Sequence, residues 1–322
     1  MDKMIIFNVG GAMASYCEIQ GKKIIIDIGT KTEFSPVLDF LLPYAENQNW
    51  EFSTQSGHEN KYHIDQLIVS HPHRDHLSDI KKLFDNFYPQ YVTTPNDNDG
   101  MGDDESINWD LVFGENIPDS AVQFFKDNLV KGRTPPLKSI LKGMELYYIQ
   151  PSKIESEITP TTDYINNTSL VWIVNINGLK VMLPGDIMNS GTEWMLNNRV
   201  VNIIPESKTE TVFKNAISKV NILVTPHHGL ESAFNVDILN AMKDELKLII
   251  IPEKPTTEDD KRQVHQSYYN TDYGTGLDIL FYEDNSISKG QSTVKTSTGH
   301  IIITGNQVIK VKEKDNLLKA FS

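Results

Sequence analysis

Three histidines and an aspartate lie within the seven residues 70–76, which read Ser-His-Pro-His-Arg-Asp-His. The segment separates an apolar run from an amphipathic one, so the sequence predicts a strand, a tight loop and a helix. From an extended loop, His71 and His73 can turn toward one metal ion, while Asp75 and His76, at the start of the helix, can face a second. Imidazole and carboxylate together suit Zn²⁺, Mn²⁺ or iron. This spacing predicts a metal centre.

Polar residues also follow two predicted strands in the second half of the chain. Asp186 comes after the predicted strand 179–183, and His227 and His228 come after the predicted strand 222–225. Open α/β sheets build their sites beyond the carboxyl ends of strands, and the glycine before Asp186 lets the backbone approach closely. We expect Asp186 and one of the two histidines to be metal ligands; the alternative for Asp186 is an N-cap of the next helix.

The composition indicates a folded protein without membrane spans. With 39% apolar and 9% aromatic residues, a chain of 322 residues can fill a sizeable core. No run approaches the ~18 apolar residues that a transmembrane helix needs. The single cysteine, Cys17, cannot form an internal disulfide, and the first residues resemble a strand more than a signal peptide. We expect a cytoplasmic protein with no membrane partner.

The net charge of −13 disfavours nonspecific binding of a polyanion over the whole surface. It does not exclude a phosphate substrate, because bound metal ions dominate the local field of such a site. If the substrate is a nucleic acid, we expect a local basic groove that uses Arg74, Lys81, Lys82 or Lys254.

Short predicted strands alternate with predicted helices along most of the chain. The isoleucine run at 23–28 predicts a strand covered on both faces. The insert 96–136 contains an acidic loop and a predicted helix at 119–130, and it is a candidate lid over the site. The polar segment 253–273 follows a strand and could reach over the site. The charged tail 312–322 is expected to be frayed.

The order of the motifs resembles that of the metallo-β-lactamase superfamily. In chain order, the motifs are Asp27-x-Gly29, His71-x-His73-x-Asp75-His76, Gly185-Asp186 and His227-His228-Gly229. Three motifs look like one branch, the hydrolase domain of the competence (ComEC-like) DNA-uptake proteins: Asn166-x-x-Ser169, Leu183-Pro184-Gly185-Asp186 and Pro226-His227-His228-Gly229. The resemblance covers most of the chain. It implies a single α/β domain over 1–322, an αββα sandwich of two mixed β-sheets flanked by helices.

The resemblance also implies a two-metal site with Zn²⁺, or Mn²⁺ as the alternative. The first ion would be held by His71, His73 and Asp186, and the second by Asp75, His76, His228 and the shared Asp186. His228 is preferred to His227 because it matches the superfamily's Pro-x-His-Gly ending. The residues expected to support the site or touch the substrate are Asp27, Asn166, Ser169 and Lys254.

Two features depart from the family pattern. No histidine lies between His76 and His227, although the two-metal members normally carry one there. Asn166, Asn167 or a water would have to substitute at the first ion. The first hairpin reads Gly-Gly-Ala-Met at 10–13 and lacks the aspartate usual in the branch.

These expectations define a metal-dependent hydrolase. A water between the metals would ionise near neutral pH and attack the electrophile, oriented by Asp75, and His227 or His265 would protonate the leaving group. The predicted activity is that of a phosphodiesterase or nuclease acting on nucleic acid or nucleotide phosphodiesters, alone or with a partner protein in a larger system. The alternatives are a carboxyl ester, lactone or β-lactam hydrolase and a catalytically degenerate binding protein, which the missing histidine favours.

Overall fold

The structure is a computed structural model. It describes residues 1–95, 120–130, 140–158, 163–204, 207–253, 263–269, 272–305 and 307–322. Most of the candidate lid 96–136 lies outside the described residues, as does Lys254, so their roles stay predictions. Within the described residues, seventeen strands, numbered in chain order, form two sheets. No helix among the described residues is long and apolar enough to cross a membrane.

The first sheet contains nine of the described strands. They are β1 (Lys3–Ile6), β2 (Ala14–Ile19), β3 (Lys22–Ile28), β4 (Tyr62–Ile68), β5 (Phe87–Thr93), β13 (Leu277–Phe281), β14 (Ile287–Gln291), β16 (His300–Thr304) and β17 (Gln307–Val311). Their order across the sheet is β14-β13-β17-β16-β1-β2-β3-β4-β5. The sheet is mixed, because β3, β4 and β5 run parallel whereas β1 pairs antiparallel with both β2 and β16.

The second sheet contains the other eight described strands. They are β6 (Glu145–Tyr148), β7 (Val171–Ile176), β8 (Leu179–Leu183), β9 (Arg199–Ile204), β10 (Ser207–Val212), β11 (Ile222–Val224), β12 (Leu248–Ile251) and β15 (Thr293–Lys295). Their order is β10-β9-β6-β7-β8-β11-β12-β15. This sheet is also mixed, since β8, β11, β12 and β15 are parallel neighbours while the pairs from β10 to β8 are antiparallel.

Short helices connect the strands. The α-helices of the described residues are Leu42–Asn47, Arg74–Leu77, Ile80–Asn86, Ser120–Phe125, Pro151–Glu157, Tyr164–Asn167, Asn189–Asn197, Phe213–Ile217, Val236–Met242 and Lys314–Phe321. Two segments with wider helical turns, Pro36–Leu41 and Lys126–Val130, adjoin helices.

Side chains alternate between the two faces of each sheet, and both faces are covered. On β3, Ile24 and Ile26 belong to the apolar core that includes Trp172 of the second sheet. Ile25, between them, belongs to the core that includes Phe40 and Phe321 from the helical segments. The isoleucine run is therefore buried on both faces, as expected. The α/β class and the αββα sandwich of two mixed sheets are confirmed.

One expectation about the C-terminal region is wrong. The tail is not frayed, because the helix Lys314–Phe321 buries Leu317 and Phe321, which lie four residues apart on one helix face. His300, at the start of β16, is buried, with its ring centroid 4.6 Å from that of Phe34.

Loops from both sheets meet at one edge of the sandwich. The parallel strands β3 and β4 lead into Asp27-Ile28-Gly29 and into the histidine loop, residues 70–76. The parallel strands β8 and β11 lead into Asp186 and into the histidine pair, His227 and His228. The carboxyl ends of parallel neighbours lie on the same side of a sheet. The topology therefore brings the predicted ligands together from positions far apart in sequence.

Candidate metal centre

Two groups of histidine and aspartate side chains meet at this edge and share Asp186. The first group is His71, His73 and Asp186. The second group is Asp75, His76, Asp186 and His228. In each group, one nitrogen or carboxylate oxygen per residue lies within 4.8 Å of all the others. Within the described residues, these are the two groups that could hold a metal ion.

The chemistry of the two groups fits metal ions. His71 Nε2, His76 Nε2 and Asp186 Oδ2 are buried and have no hydrogen-bond partner, although buried polar atoms are nearly always paired. Asp186 Oδ2 lies 3.9 Å from His71 Nε2 and 3.8 Å from His228 Nε2. Atoms that each lie about 2 Å from a common ion are about 3–4 Å apart. A cation would therefore satisfy lone pairs that the protein leaves unpaired.

Asp27 holds the histidine loop from beneath. Its Oδ2 accepts hydrogen bonds from His76 Nδ1 and Ser70 Oγ, both at 2.8 Å, and its Oδ1 accepts from the Ser70 N–H at 2.7 Å. A proton on His76 Nδ1 leaves Nε2, which lies 3.2 Å from Asp186 Oδ1, as the atom that a metal ion would bind. Asp27 thus orients a candidate ligand. Ser70, its second partner, was not singled out from the sequence, where a serine at a strand end has no distinctive pattern.

The position of Asp186 depends on a glycine and a serine. Gly185 has a φ of +60°, and a β-carbon there would lie 3.0 Å from the side chains of Ser169 and Ser70. The Asp186 N–H donates to Ser169 Oγ at 3.1 Å. A left-handed backbone in such close quarters favours glycine. Ser169, expected to support the site, contacts the backbone of the shared carboxylate residue.

The histidine pair lies in a strained turn. His227, His228 and Gly229 have φ values of 45°, 56° and 78°, and each non-glycine residue in this region costs about 1–2 kcal/mol. The turn directs His228 Nε2 to within 3.2 Å of Asp75 Oδ2, and His227 Nε2 to within 3.8 Å of Asp186 Oδ2. Both imidazoles therefore face the carboxylates, and the strain has a functional explanation.

His228 is oriented by a backbone carbonyl. Its Nδ1 lies 3.2 Å from the Pro252 carbonyl oxygen, which can only accept a hydrogen bond. The proton on Nδ1 leaves Nε2 as the atom that a metal ion held beside Asp75 and Asp186 would bind. This contact could not be predicted from the sequence, because any residue after β12 offers a carbonyl.

Burial and neighbouring charges shift the pKa values of the centre. Burial, followed by the nearby His76 and His73, holds the pKa of His71 well below its usual range. Burial also lowers the pKa of His227. For His76, burial opposes protonation, but the carboxylates of Asp186 and Asp27 raise the pKa well above its usual range. Without metal, the centre therefore combines neutral and protonated imidazoles, and bound cations would replace those protons.

The Asp186 carboxyl is ionised in this environment. Burial opposes its ionisation, but His76 and His228 outweigh burial and hold its pKa well below the usual range. A buried carboxylate surrounded by imidazoles is the arrangement expected of a bridging ligand.

Three other predicted residues lie around the centre. Asn167 Oδ1 accepts a hydrogen bond from the Met188 N–H at 3.1 Å. Asn166 Oδ1 is buried without a partner. His265 stacks on Phe234, with ring centroids 3.6 Å apart. Within the described residues, His265 makes no hydrogen bond or ion pair with the two groups, and its proposed role as an acid stays a prediction.

Known proteins resemble this chain in three-dimensional structure only, and at low similarity. No protein-family model matches the sequence, and no curated protein matches it. Several structurally similar proteins are described as metallo-β-lactamases or as having the metallo-β-lactamase fold. One is the metallo-β-lactamase-fold protein YhfI from Bacillus subtilis, which is 12% identical with a TM-score of 0.41, over 80% of this chain and 88% of that protein.

Two further solved structures are similar to this chain at the same low level. A Thermotoga maritima protein described as a zinc-dependent hydrolase is 13% identical with a TM-score of 0.33, over 80% of this chain and 79% of that one. A diphosphatase of the PhnP family is 11% identical with a TM-score of 0.35, over 78% of this chain and 85% of that one. At such identities and scores, these similarities say nothing of what this chain binds. They do not separate branches of the superfamily, so the resemblance to competence-protein hydrolases stays a prediction.

Proposed function

We propose that this chain is a metal-dependent hydrolase that cleaves phosphodiesters of nucleic acids or nucleotides. The observation that carries the proposal is the Asp186 carboxylate, shared by two adjoining groups of imidazole and carboxylate ligands. Centres with two ions about 3.5–4 Å apart suit in-line displacement at phosphorus, because both the attacking and the leaving oxygen are stabilised.

The ligand groups divide between two ions, with Zn²⁺ or Mn²⁺ as the candidates. When bound, such ions polarise phosphoryl oxygens and lower the pKa of water. His71, His73 and Asp186 would hold one ion, and Asp75, His76, His228 and Asp186 the other. The chain's own contribution is to keep these groups fixed through Asp27, Ser169 and Pro252.

Asp75 is the residue that we assign to the attacking water. Its side chain is 37% exposed, against 4% for Asp186, so it lies on the side that a substrate can reach. Burial opposes its ionisation, but the hydrogen bond from His228 and the charges of His76 and His228 together outweigh burial and lower the pKa of Asp75. An ionised carboxylate on the open side can accept a proton from a water molecule and can orient the lone pair of that water.

We assign His227 to the ligand position that the family pattern leaves vacant in this sequence. Its Nε2 lies 3.8 Å from Asp186 Oδ2, and its charge influences the pKa of His73. Since burial lowers the pKa of His227, the imidazole is neutral at pH 7, which suits a ligand better than a proton donor. This assignment favours the fourth-ligand role over the acid role expected from the sequence.

The test compares a phosphodiester with an acyl ester. The full chain, reconstituted with Zn²⁺ or Mn²⁺, is assayed with bis-p-nitrophenyl phosphate and p-nitrophenyl acetate. We expect the diester to be preferred, and Asp75→Asn to lower kcat/KM for the diester by about 100-fold or more, the usual loss for a general base. Asp244→Asn, an exposed aspartate, is the control. Hydrolysis of the acetate alone, or full diesterase activity in Asp75→Asn, would refute the proposal.

A further inference from the structure

A cleft of about 960 Å³ opens directly beside the metal centre. Asp75 forms part of its wall, so the cleft is continuous with the second ligand group. The remaining wall comes from the loop after β1, the turn after β3 and the start of the helical region after the histidine loop. Residues from these segments include Gly10, Gly11, Lys31, Glu33, Arg74 and Lys82.

Cationic side chains line this cleft although the whole chain carries a net charge of −13. The lining includes three cationic residues, Lys31, Arg74 and Lys82, and two carboxylates, Asp75 and Glu33. Lys82 already pairs with Asp79, with 2.8 Å between Nζ and Oδ1. Arg74 and Lys82 are among the residues that the sequence suggested for a basic groove.

Lys31 has no such partner. Within the described residues, its ammonium forms no salt bridge and no hydrogen bond, although Glu33 is near enough to raise its pKa. Burial outweighs Glu33 and lowers the pKa of Lys31. A partly buried cation without a bound counter-charge gains more from an anionic ligand than a fully hydrated lysine would.

The loop after β1 contributes free backbone donors to the same place. A β-carbon on Gly10 would lie 3.9 Å from Lys31 Cβ, so the loop and the lysine are neighbours. In the described part of the chain, the N–H groups of Gly11 and Ala12 have no hydrogen-bond partner. Successive free N–H groups beside a cation form a concavity suited to an oxyanion.

We propose that this cleft binds a second phosphate group of the substrate, with Lys31 as its main cation. The inference rests on the proposed function: the scissile diester lies at the metal centre, and another phosphate of the same molecule occupies the cleft. The preferred substrates are then nucleotides with more than one phosphate. Such a phosphate is either a terminal phosphomonoester or the next phosphate of an oligonucleotide.

The kinetic test uses three p-nitrophenyl substrates. They are thymidine 5′-(p-nitrophenyl phosphate), its 3′-phosphorylated form, and a form whose 3′ oxygen carries a second thymidine through a phosphodiester. We expect kcat/KM to be at least about tenfold higher with the second phosphate, in line with one charge-assisted contact. A preference for the 3′-phosphorylated form alone would identify a terminal phosphate, and a preference for both would identify phosphate in general.

Variants of the cleft test which residue provides the preference. Lys31→Gln should reduce the preference by about tenfold, Lys31→Arg should retain most of it, and Glu33→Gln should increase it about threefold. Lys289→Gln, an exposed lysine on the edge strand β14, is the matched control and should leave it unchanged. Equal kcat/KM for all three substrates, or a preference unaffected by Lys31→Gln, would overturn the inference.

A binding measurement separates this inference from the proposed activity. Thymidine 3′,5′-bisphosphate is titrated into the wild type and into Lys31→Gln by calorimetry. About tenfold weaker binding by the variant would support the cleft even if no diester is hydrolysed, in which case the hydrolase proposal fails. Diester hydrolysis together with equal bisphosphate binding by both proteins would instead overturn the cleft and leave the hydrolase proposal standing.

Discussion

At the scale of residues, the centre depends on one carboxylate and on the orientation of the imidazoles around it. Asp186 is buried, ionised and common to both ligand groups. Asp27 and the Pro252 carbonyl fix a proton on the Nδ1 atoms of His76 and His228, so both Nε2 atoms face inward, where bound cations would replace their protons. Partners of this kind raise the basicity of a ligand and reduce its freedom.

The role of His227 can be tested by metal content. We expect His227→Ala to bind one equivalent of metal where the wild type binds two, because the first ion loses a ligand. Ser232→Ala is the control and should bind two equivalents; the Ser232 hydroxyl that it removes lies 3.5 Å from His227 Nδ1. Mass spectrometry of the metal, with circular dichroism to verify folding, makes the measurement. Two tightly held equivalents in His227→Ala would contradict the ligand role and return His227 to that of an acid.

At the scale of elements, three segments cross at the base of the histidine loop with almost no free space. The Gly29 N–H donates to the Met13 carbonyl at 2.7 Å, and the Met13 N–H donates to the Asp75 carbonyl at 3.1 Å. A β-carbon on Gly29 would lie 2.0 Å from the Asp75 carbonyl oxygen. The turn after β3 therefore fixes the position of the histidine loop.

Gly29→Ala should destabilise the fold and weaken metal binding together. Since the clash involves backbone, we expect the free energy of unfolding to fall by about 2–4 kcal/mol, as for other overpacked positions. Gly57→Ala is the comparison, because Gly57 has a φ of +81° but nothing within 4 Å of an added β-carbon, so only about 1 kcal/mol is expected. Urea unfolding measures both variants. Equal losses in the two would show that the close approach at Gly29 does not constrain the loop.

The sequence predicted the elements whose signals are local. The apolar runs, the turn residues and the histidine spacing located β3, β4, β8 and β11 and the loops that follow them. The strands β9, β10, β14 and β17 were missed. The residues of β10 and β14 are mostly polar or exposed, whereas β9 and β17 are mostly buried but have short apolar runs interrupted by Asn202 and Lys310. The C-terminal helix was missed because the segment 312–322 carries many charged residues, and only the tertiary contacts show that the face with Leu317 and Phe321 is covered.

The geometry of the site was partly predictable in the same way. The grouping of His71 and His73, and of Asp75 and His76, followed from their spacing. The proximity of Lys31 to the centre did not, because it depends on how the turn after β3 packs against the loop after β1. The left-handed turn at His227 and His228 is likewise invisible in a sequence where neither residue is a glycine.

At the scale of the whole molecule, strands from the two ends of the chain pair within the first sheet. Strand β1 pairs with β16, and the Asn8 N–H donates to His300 Nδ1 at 3.2 Å. His300 packs against Phe34 and Phe7, with ring centroids 4.6 Å and 6.1 Å away. Burial, and then the charge of Lys31, lower the pKa of His300 to about 3.

This buried histidine links global stability to pH. Its pKa in the folded state lies below the unfolded value of about 6.5, so its contribution is complete above pH 6.5 and is lost as the pH falls from there toward 3. One proton corresponds to a slope of up to about 1.4 kcal/mol per pH unit. We expect His300→Gln to flatten the decline in the free energy of unfolding between pH 7 and pH 5, measured with urea. Identical declines in both proteins would contradict this.

The metal content of the wild type and of Asp186→Asn tests the central claim most directly. Both full-length proteins are reconstituted with Zn²⁺, dialysed without chelator and analysed by mass spectrometry, with Asp244→Asn as the control. If Asp186 joins two ions, the wild type and the control hold about two equivalents, while the isosteric amide, which has lost the bridging charge, holds less than one. A wild type that binds no metal, or a folded Asp186→Asn protein that retains two equivalents, would contradict the account.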